Sequence, residues 1–226
     1  MVPKVGGAAA ADLADLRTAS LDAIHCVLAE GGDQVVLIGA ADESQAHSPL
    51  SWGSFAGLGV DLQVALGSPG CGGRGELPLS LTVGAWLLGE VAGPRSGAVG
   101  FSVAPGFSSS PAALELLRLA ESVDLTLLVI GDGSARRATT SPGYLEPRSI
   151  DFDRGVETAL RDGDGGALAE LDEQLGAALL AAGVPAWRAA GGLLEGAEHD
   201  ARLLYSDDPF GVQYFAAYWT PRGPSA

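Results

Sequence analysis

Four strand-length segments constrain this chain more than any other feature: "QVVLIGA" at 34–40, a continuous apolar run, then "VDLQVAL" at 60–66, "GAVGFSVA" at 97–104 and "DLTLLVIG" at 124–131. Runs of this length without polar alternation suit strands covered on both faces, the signature of a largely parallel sheet between helical layers. The intervening segments carry helical spacing. Residues 8–30 place Leu13, Leu16, Ile24, Val27 and Leu28 on one stripe, and Gly31-Gly32 offers the stop. A second helix is predicted over 77–91, with Pro78 in its first turn, and a third from Ser110-Pro111 to about Ser122. Residues 150–182 hold two more helical patterns. The tail, "ARLLYSDDPFGVQYFAAYW", predicts two strands near 201–206 and 212–219 joined by an Asp-Asp-Pro-Phe-Gly turn. No linker-like stretch divides the chain. The expectation is therefore an α/β fold over residues 1–226. It is one layered domain whose mostly parallel or mixed central sheet (34–39, 60–66, 97–104, 125–131 and the C-terminal pair) is flanked by helices on both faces.

The formal net charge of −15 opposes nucleic-acid and anionic membrane partners, because such a surface repels phosphate. No apolar stretch reaches the ~18 residues that span a bilayer, and no secretory leader is visible, so a cytoplasmic protein is expected. Cys26, in a predicted helix, and Cys71, in the Gly-rich loop 67–76, read as reduced thiols. That loop lacks both Lys and the spacing of a phosphate cradle.

Few residues are available for chemistry. The strand at 125–130 ends in "GDGSARR", the kind of small polar turn that α/β enzymes place at the crevice end of a strand. Asp132 and Ser134 are its crevice candidates, either as an acid and hydroxyl pair or as residues that tie the turn and cap a helix. Ser134 has no His beside it, which disfavours a hydrolase. Arg136 and Arg137 either hold an anionic ligand or pair with local carboxylates. Asp42 and His47, in the loop after the first strand, are further ligand-binding candidates. His47 is also a metal candidate, with a plain loop residue as the other reading. Glu195 and His199 stand four apart and share a face if their segment is helical, a spacing more often found in surface pairs than in metal sites; Glu195, with Glu198, is the other metal candidate. His25 reads as a packed or surface helix residue.

Taken in order, "VPKVGGAAAADLADLR", "GVDLQVALG", "LPLSLTVGAWLL", "LLVIGDGSARR", "SPGYLEPRSIDFDRGVETALRDGDGGALAELD" and "YSDDPFGVQYFAAYW" resemble the class III extradiol ring-cleavage dioxygenases. The likeness is to the catalytic domain found in the beta chain of the protocatechuate 4,5-dioxygenase type, in a small actinobacterial branch. It implies Fe(II) held by two His and a carboxylate, a further His as acid and base, and a catecholic substrate. This chain departs from the pattern at each His. Ala41 stands at the second ligand position and Ala135 at the acid–base position after Ser134. The family's opening strand, which carries the first His, would lie ahead of "MVPKVGG".

The resemblance thus implies a degenerate, non-catalytic relative that binds a small ligand or a protein partner in the former crevice, with no cofactor. The alternative is an active Fe(II)-dependent ring-cleavage dioxygenase with rearranged ligands. It also implies a gap near the middle of the sheet, filled by a longer native start or covered by homodimerisation through the open edge.

Overall fold

A computed structural model describes residues 2–67, 75–92 and 97–222. Cys71 and most of the loop 67–76 lie outside the described residues. The chain begins with a short helix, α1 (Pro3–Gly6), and a 3-10 turn, then enters α2 (Ala14–Glu30). There follow β1 (Gln34–Ala40), β2 (Gln45–His47), β3 (Trp52–Ser54), β4 (Gln63–Ala65), α3 (Leu79–Ala92), β5 (Val99–Val103), α4 (Pro111–Ser122) and β6 (Leu125–Ile130). The second half contains α5 (Arg148–Asp162), α6 (Gly165–Ala169), α7 (Glu173–Ala178), α8 (Val184–Leu194), β7 (His199–Asp207) and β8 (Tyr214–Pro221).

The protein is α/β, with a mixed sheet flanked by helices. Its main sheet has the order β2-β5-β1-β6, in which β5, β1 and β6 are parallel and β2 is antiparallel. Strand alternation sorts side chains between two layers. Leu37 and Leu128 point to the side of α2 and α3, where they join Ile24, Leu81 and Leu88. Val36 and Ile38 point the other way, toward Phe101, Leu116 of α4 and Ala186 and Ala190 of α8. A third cluster, Phe152, Val156, Leu179 and Trp187, fixes α5 and α8 beneath the C-terminal hairpin. No helix among the described residues is long and apolar enough to cross a membrane.

Three departures from the sequence reading matter for the site. The segment 60–66 does not enter the main sheet; only 63–65 is a strand, paired antiparallel with β3 in a separate hairpin. Gly59 turns the chain at φ +77, and Gly53 lets that hairpin lie against Thr82 of α3, where a Cβ would collide with the threonine side chain. The edge position is taken instead by β2, from the segment read as a polar loop. The C-terminal pair forms its own two-stranded sheet, longer than expected at 199–207 and 214–221. Its connecting turn holds Phe210 at φ 63.

The junction between β6 and α8 depends on two glycines in contact. A Cβ built on Gly131 would overlap the Cα of Gly183, which is backbone and cannot swing aside. Gly131→Ala is expected to cost about 1–3 kcal/mol or more through overpacking. Urea unfolding checks it, and an unchanged midpoint would show that the junction yields.

Candidate functional site

The turn after β6 is clamped from several directions. Gly133 N–H donates to the Gln213 carbonyl (2.8 Å), and Gln213 N–H returns to the Ser134 carbonyl (2.9 Å). Ala135 N–H donates to Leu179, and the Asp132 carbonyl accepts from Gly183 N–H (2.8 Å). Both glycines of "GDG" are required by close approach: Gly131 by Gly183, and Gly133 by Gln213 and Asp153 Oδ1, which a Cβ would meet at 2.8 and 3.0 Å.

Ser134 is fully buried, and its polar groups are committed. Its N–H donates to Asp153 Oδ1 (2.9 Å) and its hydroxyl to Asp153 Oδ2 (2.5 Å). Asp153, on α5, is itself buried, and burial raises its carboxyl above the ordinary range against the opposing pull of Ser134 and Arg137. Arg137 completes the network, with Nη1 3.4 Å from Asp153 and Nε 2.7 Å from Asp208. Of the two readings for the arginines, Arg137 therefore follows the carboxylate-pairing one. Arg136 packs across Gly143, and its buried Nε has no hydrogen-bond partner among the described residues. The sequence had no means of pointing to Asp153, which lies nineteen residues beyond Ser134 and belongs to another element.

Asp132 faces a different environment. It stands at the mouth of a mostly apolar cavity of about 750 Å³, bordered by β6, α2, α8 and β8. Surrounding protein strips water from the carboxylate and raises its pKa. Tyr214, the first residue of β8, lines the same mouth. Its phenol is pushed up to about 12, first by burial and then by the charge of Asp132, so it stays a neutral donor at pH 7. Tyr214 escaped the sequence reading because it is one aromatic among four in "YFAAYW". Only the register that carries Tyr214 to the end of β6 distinguishes it.

The raised carboxyl has a consequence for stability. A group whose folded pKa exceeds its unfolded value favours the fold fully below the unfolded value, and that contribution is lost as pH rises through the folded value. For Asp132 the window opens upward from the ordinary 3.8. Asp132→Asn is expected to melt above the parent protein at pH 7, the gap closing as pH falls toward 4. Thermal melts across that range check it; a gap that widens on acidification would reverse the sign.

The remaining candidates are dispersed. Asp42 is exposed just past β1, at the same end of the sheet as Asp132. His47 ends β2, buried, with Nε2 3.1 Å from Ser102 Oγ, and burial lowers its pKa. Two strands, β5 and β1, stand between β2 and β6, which puts roughly 14 Å of sheet between His47 and the turn. Glu195 and His199 do not share a helix face, because α8 stops at Leu194 and His199 opens β7. His199 stacks on Trp219 (5.5 Å between centroids) and starts the strand whose far end, Asp207, pairs with Tyr214. Both residues are thus at the opposite end of the hairpin from Asp132. His25 is exposed on α2.

Fe(II) needs imidazole and carboxylate donors that converge on one point. At the crevice end of the sheet Ala41 and Ala135 supply none, and His47 is engaged with Ser102 on the far edge. The residues at the turn therefore do not fit the ion. No family model matches the chain, and no curated protein is significantly similar to it.

Proposed function

We propose that this protein is a class III extradiol dioxygenase-like protein that retains the layered fold and its crevice without the ring-cleaving chemistry, and that it binds a small ligand at the Asp132–Tyr214 mouth. One observation carries the reading: the hydroxyl of the site-like turn is spent on structure. Ser134 gives both its donors to buried Asp153, so of the acidic and histidine residues that line the cavity, Glu30, Asp124, Asp132 and His199, it is Asp132 that belongs to the turn, with His199 at the opposite end of the hairpin. A carboxylate opposite a neutral phenol over an apolar cavity can hold and orient a small ring-bearing hydroxyl compound. Among the described residues neither group has a partner that would make it a nucleophile or a proton shuttle.

The test pairs iron analysis with ligand titration. Protein purified anaerobically with Fe(II) is expected to hold iron well below stoichiometry and to consume no oxygen with catechol. Titration with catechol is expected to quench tryptophan fluorescence, with affinity weakened about tenfold in Asp132→Asn, equivalent to the loss of one hydrogen bond. About one iron per chain, lost in His47→Ala and accompanied by oxygen uptake, would establish the Fe(II) dioxygenase instead.

A further inference from the structure

The cavity bordered by β6, α2, α8 and β8 carries charge of one sign. Among the described residues, Glu30, Asp124 and Asp132 line it, and no lysine or arginine does. Asp124 stands just ahead of β6 and Asp132 just beyond it, so a carboxylate marks each end of a strand about 20 Å long. Glu30, the last residue of α2, belongs to the Asp124 end, because Gly32 packs directly on the Asp124 carbonyl. His199 is the one lining side chain able to carry positive charge, and it too lies at that end, across the hairpin from Asp132.

Between the two ends the walls are apolar and aromatic. Ile24 and Val27 of α2 and Leu87 of α3 close one side, with Ala190 and Leu194 of α8 on the other. Tyr214, Phe215, Tyr218 and Trp219 of β8 line the cavity together with Trp187. The Trp219 indole N–H is already given to the Leu160 carbonyl (2.7 Å), so that side chain offers a ligand its ring and not its donor. Aromatic faces attract cations through the ring quadrupole. The volume, about 750 Å³, lies within the range of ~300–1,000 Å³ typical of small-molecule pockets.

These walls discriminate by charge. An anion meets carboxylates at both ends and the field of a chain with a net charge of −15. A neutral ring gains burial alone. A cation with an apolar body gains burial, the aromatic faces and a carboxylate from which the protein has displaced water. Removal of water makes that last attraction roughly fourfold stronger at an effective dielectric near 20 than in bulk water. Asp132 and Tyr214 lie within each other's field, since the charge of Asp132 helps to raise the Tyr214 phenol. An ammonium between them can donate to the carboxylate and to the phenol oxygen at once.

We propose that the cavity takes a ring-bearing organic amine, with its ammonium held by Asp132 and Tyr214 and its ring seated on the apolar and aromatic walls below. The proposal rests on the reading that this mouth binds a small ring compound, and adds the charge that the compound carries. An alkyl ammonium titrates near the lysine value of about 10.4, so it is charged at pH 7.

The test is calorimetric titration at pH 7 with three probes that share one phenol ring. Tyramine carries an ammonium on its side chain, tyrosol a hydroxyl in the same position, and para-hydroxyphenylacetate a carboxylate. Tyramine is expected to bind about tenfold or more tightly than tyrosol, and the carboxylate most weakly of the three. In Asp132→Asn the advantage of tyramine over tyrosol should fall to about threefold or less. Asp124→Asn, at the other end of β6, should keep it. Tyramine that binds no more tightly than tyrosol, a carboxylate that binds best, or an advantage that survives in Asp132→Asn would overturn the proposal. Catechol bound without any preference for tyramine would sink the amine assignment alone and leave the ring-binding reading in place. Silence from catechol and all three probes would remove that reading, and this inference with it.

Discussion

Asp153→Ala is expected to destabilise the protein by roughly 3–5 kcal/mol, because it removes one partner from a buried charged network. Asp153 is 1% exposed and accepts both the N–H and the hydroxyl of Ser134. Truncation leaves two donors in a pocket that water does not reach, each costing about 1–3 kcal/mol when unsatisfied. Arg137 keeps Asp208 as a partner but loses its inner carboxylate. Asp153→Asn separates the hydrogen bonds from the charge. Its amide oxygen still accepts from Ser134 N–H, so the loss should be less than half that of the alanine variant. Denaturant unfolding with both variants checks this. An alanine variant within about 1 kcal/mol of the parent would show that the turn is held by its backbone bonds alone.

Much of the layer arrangement is legible in the sequence because burial writes itself periodically. The runs at 34–40, 97–104 and 125–130 lie between two helical layers, and their unbroken apolar character reports that both faces are covered. The segment 60–66 differs: Val60, Leu62, Val64 and Leu66 alternate with Asp61, Gln63 and Ala65, the pattern of a strand covered on one face, and alternation does not say which sheet the strand joins; here it packs on the core beside α3 through a small hairpin. α8 goes unforeseen for a different reason. "VPAWRAAGGLL" contains Gly191 and Gly192, which weaken helical propensity. Gly191 is there because α6 crosses so closely that a Cβ would meet Ala169 N and the Gly165 carbonyl at 2.6 Å.

The site was legible only as a location. "GDGSARR" marks the crevice end of β6, and Asp132 does stand at the cavity mouth. Which residues of the motif face the cavity and which face the core is decided by α5 and the C-terminal hairpin, through Asp153, Asp208 and Gln213. Those contacts join residues from 16 to 80 positions apart and leave no local pattern. His47 shows the converse: a loop histidine by sequence becomes a buried strand residue once β2 pairs with β5, because its Nε2 finds Ser102.

Trp187→Ala is expected to cost about 3–5 kcal/mol, the range for removing a large buried aromatic side chain. Trp187 is 5% exposed on α8 and meets Phe215 of β8 edge-on, with centroids 6.1 Å apart and planes at 67°. Such a pair contributes about 0.5–1.5 kcal/mol beyond the area it buries. The indole also lies over Gly183, whose missing Cβ would come within 2.6 Å of Cζ2, so its loss bares the glycine junction that anchors β6. The wall it leaves borders an existing cavity, and the surrounding strands are fixed by their own ladders, so little collapse is available to recover the lost contacts. Trp187→Phe retains a ring against Phe215 but not the reach over Gly183, and should fall between the two. Urea unfolding that shows a lower midpoint at unchanged slope would locate the effect in the folded state. A midpoint shift corresponding to less than about 1 kcal/mol would mean that Trp187 is not a structural tie between α8 and the hairpin.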